Sequence, residues 1–202
     1  MTFIKFCGMT RPEDVAIAVE LGVDAIGFVL WPKSPRYVSL EVAAKLVAMI
    51  PDGIRPVGVF VTPSPDDVSR AVEQAGIRVA QLHGVNDVSF GGQRCEFWIA
   101  TSLPANGAGS SAASGHMLIL DAHDPVKQGG TGQTIDWQRA SAVAATRPTI
   151  LAGGLTPANV ADAIRTVRPF GVDVASGIET AAGVKSEQAM RAFVAAVRGA
   201  NP

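Results

Sequence analysis

No run of lysines or arginines interrupts this chain, and only 17% of its 202 residues are charged. With a formal net charge of −1, it lacks the clustered cations that nucleic acids and acidic membrane surfaces require. A small anionic ligand is not excluded, because a few local groups suffice to hold one phosphate. No apolar stretch reaches the roughly 18 residues that span a bilayer, and the first residues enter a strand-like run without the pattern of a signal peptide. Only two cysteines occur, Cys7 and Cys95, far apart in dissimilar settings, so no disulfide framework is expected. A reducing, cytoplasmic setting is the expectation. The spacings HExxH and CxxC are missing, as is any clustered His/Asp set, so no metal is expected.

What is present is a core and a rhythm. Hydrophobic residues make up 48% of the chain, enough for a single domain over residues 1–202. Strand-like runs occur at 3–7, 24–30, 55–61, 77–83, 97–101, 117–121, 148–152 and 171–175. They are continuously apolar instead of alternating, the pattern of parallel strands buried on both faces. Amphipathic helical segments lie between them. Thr10 with Pro12, and Thr156 with Pro157, mark two helix starts, Gly22 marks a stop, and the last helix spans roughly 186–198.

Strand–helix alternation implies right-handed parallel crossovers, and eight strands is the number that closes a (β/α)8 TIM barrel. An open doubly wound sheet is the structural rival. The typical barrel has about 250 residues, so this chain is short. The shortage is visible after the fifth strand, where SLPANGAGSSAASGH is too rich in Gly and Ser for a good helix. A short or missing fifth helix is expected there.

Active sites of such barrels lie at the C-terminal ends of the strands. The residues there are Cys7, Arg36, Gln81 and His83, Asp121, the Gly153–Gly154 pair and Ser176–Gly177. Cys7 ends the first strand and Asp121 the sixth, so their tips face across the mouth. A thiol and a carboxyl group can be tuned toward each other as base and acid. Taken alone, each has a plainer role: packing for the cysteine, a cap or loop group for the aspartate. LAGGLTPANV and VASGIET put glycines after strands seven and eight, the recurrent phosphate position of these barrels; glycine also simply makes tight turns. Arg36 could clamp a carboxylate bidentately or be a solvated surface arginine. QGGTGQT (128–134) lacks the spacing of a nucleotide loop and suits a lid near Asp121.

KFCGMTRPEDV, GFVLWPKSPRYVS, VGVFV, QLHG, LILDAHD followed by GGTGQTIDW, LAGGLTPANV and VRPFGVDVASGIE together resemble the phosphoribosylanthranilate isomerase family of tryptophan biosynthesis. The motifs follow in order from residue 3 to about 185. The resemblance implies a (β/α)8 barrel, an aldose-to-ketose Amadori rearrangement and no cofactor. It makes Asp121 the general acid, Cys7 the general base, Arg36 the holder of the anthranilate carboxylate, and the Gly153–Gly154 and Ser176–Gly177 turns the phosphate site. Gln81 and His83 would line the pocket or pack beneath it. The only partner implied is a small phosphorylated substrate, in a monomer or homodimer. A thiol base needs a lowered pKa and a carboxyl acid a raised one, so a bell-shaped pH profile is expected. Two departures stand out: Met9 where isoleucine or leucine is usual, and Ala175 where serine is common. The related isomerase of histidine biosynthesis would carry an aspartate at position 7, and a silent phosphate-binding barrel would have lost Cys7 or Asp121. A cysteine hydrolase would have to use His83 as its base.

Overall fold

Eight parallel strands hydrogen-bond in the order in which they occur, and the eighth pairs back onto the first to close a barrel. The computed structural model describes residues 1–85, 94–103, 115–121 and 136–200. The barrel strands are β1 (Phe3–Phe6), β2 (Ala25–Val29), β3 (Arg55–Val61), β4 (Val79–His83), β5 (Glu96–Thr101), β6 (Met117–Leu120), β7 (Thr149–Leu151) and β8 (Gly171–Val174). Each coincides with one of the apolar runs, which rules out the open sheet.

Both faces of each strand are used, which is why the runs show no alternation. One set of alternate residues fills the barrel, including Ala25, Val57, Val59, Val79, Trp98, Ile119 and Ile150. Phe3 meets Trp98 edge-on with ring centroids 5.9 Å apart, plugging the end opposite Cys7. The other set, including Ile4, Phe6, Phe28, Leu82, Ile99 and Leu118, packs outward into a second apolar layer beneath the helices. Met9 is fully buried in that outer layer, so the thioether replaces a branched aliphatic without exposing a polar atom.

The helices are α1 (Pro12–Glu20), α2 (Leu40–Val47), α3 (Pro65–Ala75), α4 (Trp137–Ala144), α5 (Val160–Val167) and α6 (Glu187–Ala200). Capping explains their limits. Ser64 and Asp67 close a reciprocal capping box on α3, and Gly76 ends it at φ +68°. Two starts differ from the sequence expectation. At α1 the N-cap is Arg11, while the Thr10 hydroxyl donates to the Gly183 carbonyl at 2.5 Å. At α5 the regular helix starts at Val160, after a turn in which Asn159 N and Val160 N donate to Thr156 O at 3.2 and 3.1 Å and the Asn159 side chain reaches back. Its Oδ1 accepts from Thr156 N at 2.8 Å and its amide donates to the Gly154 carbonyl at 2.9 Å. Of SLPANGAGSSAASGH (102–116), where a short or missing fifth helix is expected, residues 104–114 lie outside the described residues, as does the QGGTGQT segment (128–134).

After β8 comes a 3₁₀ turn (Ser176–Ile178), then a hairpin of β9 (Glu179–Ala181) and β10 (Val184–Lys185). This hairpin lies over the seam where β1 meets β8. Among the described residues no helix is long and apolar enough to cross a membrane.

Candidate active site

Strand parity decides what can face the mouth. Residues 5 and 7 share one side of the first strand, 81 and 83 one side of β4, and 173 and 175 one side of the eighth. In each case that side points into the barrel. Cys7, Arg36, Gln81, His83, Asp121, Gly153, Gly154, Ser176 and Gly177 all line one cavity of about 210 Å³ at the C-terminal ends of the strands. The nine residues singled out in the sequence are thus brought together. Ala175 lines it too, offering a methyl group where serine would offer a hydroxyl.

Cys7 is held by backbone on both sides. Its N–H donates to Val174 O at 2.9 Å, and its carbonyl accepts from Lys185 Nζ at 2.6 Å. Gly8 follows at φ +72°, where a Cβ would stand 2.6 Å from Arg36 Cδ. A side chain at position 8 would therefore block the route by which Arg36 reaches the cavity, besides straining the turn. Across the mouth, Asp121 continues the β6 ladder by donating its N–H to Thr101 O at 3.0 Å. On β4, Gln81 Nε2 and His83 Nε2 lie 2.9 Å apart. The other end of that amide, Oε1, is buried with no hydrogen-bond partner among the described residues.

The two glycine turns lie against each other. Gly153 and Gly154 take φ +84° and +66°, conformations open to glycine at little cost. A Cβ on Gly177 would fall 1.8 Å from the Leu155 carbonyl oxygen, so only glycine lets the turns after β7 and β8 close together. The result is a concave backbone surface beside Ser176, a shape suited to an anion.

Four charged residues were missed. Lys5 and Asp173 are register partners across β1 and β8, with Lys5 Nζ 2.9 Å from both Asp173 carboxylate oxygens and the ammonium fully buried. Inward parity in a buried strand could have exposed this pair, because a charge there needs a counter-ion. Glu179 and Lys185 sit on the hairpin. Arg36 forks onto Glu179 through Nε (2.9 Å) and Nη2 (2.7 Å), and Lys185 Nζ donates to Glu179 Oε1 (2.8 Å) and Ala175 O (3.1 Å). Their signal was Gly183 between two short β-prone stretches, a hairpin pattern.

Electrostatics follow from this layout. Burial pushes the Cys7 thiol up from its ordinary value, and the Lys5 ammonium pulls it part of the way back. Burial also works against the Lys5 ammonium, but the neighbouring Asp173 carboxylate and Cys7 sulfur outweigh it and hold the lysine pKa above the usual value. Glu179 loses solvent, yet the Arg36 and Lys185 cations hold its carboxyl below the usual range. Among the described residues no group of three or more His, Cys, Asp or Glu is placed to hold a metal ion.

The profile of the N-(5'-phosphoribosyl)anthranilate (PRA) isomerase family matches residues 4–196. An N-(5'-phosphoribosyl)anthranilate isomerase from Leptothrix cholodnii is 42% identical over 212 residues, covering 99% of this chain and 92% of its own. The crystal structure of phosphoribosyl anthranilate isomerase from Thermotoga maritima superposes with a TM-score of 0.89 at 34% identity, covering 98% of this chain and 100% of its own. A phosphoribosyl anthranilate isomerase in complex with reduced 1-(o-carboxyphenylamino)-1-deoxyribulose 5-phosphate has a TM-score of 0.86 at 32% identity over 98% of this chain and 100% of its own. Fold and relatives together define the class, a (β/α)8-barrel isomerase. Within that class, the chain belongs to the N-(5'-phosphoribosyl)anthranilate isomerase family.

Proposed function

We propose that this protein converts N-(5'-phosphoribosyl)anthranilate to 1-(2-carboxyphenylamino)-1-deoxyribulose 5-phosphate, a step of tryptophan biosynthesis, with Asp121 as general acid and Cys7 as general base. The carrying observation is the shared cavity, in which a strand-one thiol, a strand-six carboxyl group and two glycine turns converge. In the first step Asp121 gives its proton to the furanose ring oxygen. The C1–O bond breaks as the anilino nitrogen lone pair forms a C1=N bond, opening the sugar to a Schiff base. The Cys7 thiolate then removes the proton on C2, and the electrons move through C1 to nitrogen, leaving an enolamine. Moving the enol proton to C1 gives the ketone at C2. Atoms and charge balance without an external redox partner, so the residues need only move protons.

Binding divides among the remaining groups. The Gly153–Gly154 and Ser176–Gly177 turns hold the phosphate through backbone N–H groups. Arg36, kept extended by Glu179, meets the anthranilate carboxylate. Gln81 offers its unpaired Oε1 to a sugar hydroxyl, with His83 fixing the amide from the other end.

The test uses substrate labelled with carbon-13 at ribose C2, made in situ. The reading expects the label to move from an alcohol carbon to a ketone carbon with no change in total mass. Release of free anthranilate with the label still on an alcohol carbon would overturn it.

A further inference from the structure

We propose that Lys5 is a positioning residue for the proposed base: its ammonium, clamped by Asp173, is the cation against which the Cys7 thiolate forms. This deepens the isomerase reading and rests on Cys7 being the base.

The geometry carries it. Lys5 and Cys7 are two residues apart on one inward side of β1, so the lysine lies one layer below the thiol. A Cβ placed on Gly27, on the neighbouring strand, would stand 3.0 Å from Cys7 Sγ and 3.2 Å from Lys5 Nζ. Both atoms therefore converge on the space that this glycine leaves open. Both Asp173 carboxylate oxygens accept from the Lys5 ammonium at 2.9 Å. The buried ammonium also lowers the thiol pKa by its charge, against the burial that raises it.

Other charges around Cys7 are differently committed. Lys185, from β10, gives its N–H groups to the Cys7 and Ala175 carbonyls and to Glu179, and its charge acts on the Cys7 sulfur less than that of Lys5 does. Arg36, from the segment after β2, is forked onto the same carboxylate. Asp173, from β8, is an anion and opposes the thiolate. His83 and Asp121 face the cavity from β4 and β6. Lys5 is the cation that acts most strongly on the Cys7 sulfur, ahead of Lys185, and it is shared between that sulfur and Asp173. Asp173 competes with Cys7 for that charge, and in its absence the thiolate itself holds Lys5 as an ammonium, because both anions raise the lysine pKa.

This arrangement makes a signed prediction that simple structural support would not make. Removing the Lys5 charge should make the thiolate harder to form, whereas removing the Asp173 charge should make it easier. The measurement is the rate of alkylation by iodoacetamide against pH, read by mass spectrometry of the intact protein. Cys95→Ser serves as background, so that Cys7 is the only thiol. The midpoint depends on the thiol alone and requires no isomerase turnover, so failure here is distinguishable from failure of the proposed reaction.

The expected result is a Lys5→Met midpoint at least one pH unit higher, a tenfold loss of thiolate at a given pH below it. Asp173→Asn should move the midpoint lower. An unchanged midpoint in Lys5→Met, or shifts of the same sign in both variants, would overturn the proposal. Should Lys5→Met fail to fold, Asp173→Asn decides: a lower midpoint supports the proposal, and an unchanged or higher one refutes it.

Discussion

Arg36 and Glu179 meet fork to carboxylate across 143 residues of sequence, with Nε–Oε1 at 2.9 Å and Nη2–Oε2 at 2.7 Å. The pair turns a flexible side chain into a directed one. A bidentate guanidinium–carboxylate contact fixes a plane as well as a distance. Glu179 is itself fixed, because Lys185 Nζ donates to it and simultaneously to the carbonyls ending strands one and eight. The arginine that reaches the cavity is thus braced by the hairpin that covers the barrel seam.

Arg36→Ala should therefore raise KM by about 10- to 100-fold, the effect of losing a charged hydrogen-bonding pair worth roughly 1.5–3 kcal/mol, with kcat changed only severalfold. Glu179→Gln should act in the same direction and less strongly, because the arginine survives but loses its brace. Steady-state kinetics separate the two parameters. A pure loss of kcat in Arg36→Ala would move that residue from binding to chemistry.

The Glu179 carboxyl also sets an acid limit on stability. Its pKa is held down in the folded protein, so its ion pairs contribute fully above the ordinary carboxylate value. That contribution is lost as pH falls through the lower folded value. The midpoint of thermal unfolding should decline through this acid range in the wild type, and Glu179→Gln should flatten that part of the decline.

The rate–pH profile has a defined shape as well. A base must be unprotonated and an acid protonated, so kcat/KM should be bell-shaped. The Cys7 thiol is pushed up, so the competent free enzyme, with thiolate and protonated acid together, is a minor species and the bell is broad. Its two limbs belong to the coupled pair and are assigned by variants, not by position. A profile that lacks either limb, the fall on the acid side or the fall on the alkaline side, would contradict the acid–base assignment.

Gly177 should tolerate no side chain. An added methyl carbon would meet the Leu155 carbonyl oxygen at 1.8 Å, which forces the two glycine turns apart. Gly177→Ala should cost roughly 2–3 kcal/mol, lower the unfolding temperature by about 5–10 °C, and weaken competitive inhibition by inorganic phosphate. Gly199→Ala, in α6 with nothing within 4 Å of its added carbon, is the matched control and should leave both properties unaltered.

How much of this was legible in the residues depends on the range of the interaction. The strands were readable because burial on both faces leaves a local mark, a run such as MLIL without alternation. The nine cavity residues were readable because strand ends are local features too, and the barrel rule converts them into one site. Lys5–Asp173 and Arg36–Glu179 were not seen, since each pair joins distant segments whose meeting depends on barrel closure. Parity would have pointed Lys5 inward, but nothing local identifies which of the acidic residues answers it. The start of α5 was placed three residues early, because Thr156 and Pro157 open a turn that precedes the regular helix.

The most direct test of the central claim follows the loss of phosphoribosylanthranilate fluorescence with wild type, Cys7→Ala and Asp121→Asn side by side, the labile substrate being generated in situ. Turnover by wild type is expected, with a loss of about 10²- to 10⁴-fold in each variant and circular dichroism showing all three folded. Wild-type silence, or a folded variant that turns over at the wild-type rate, would contradict it.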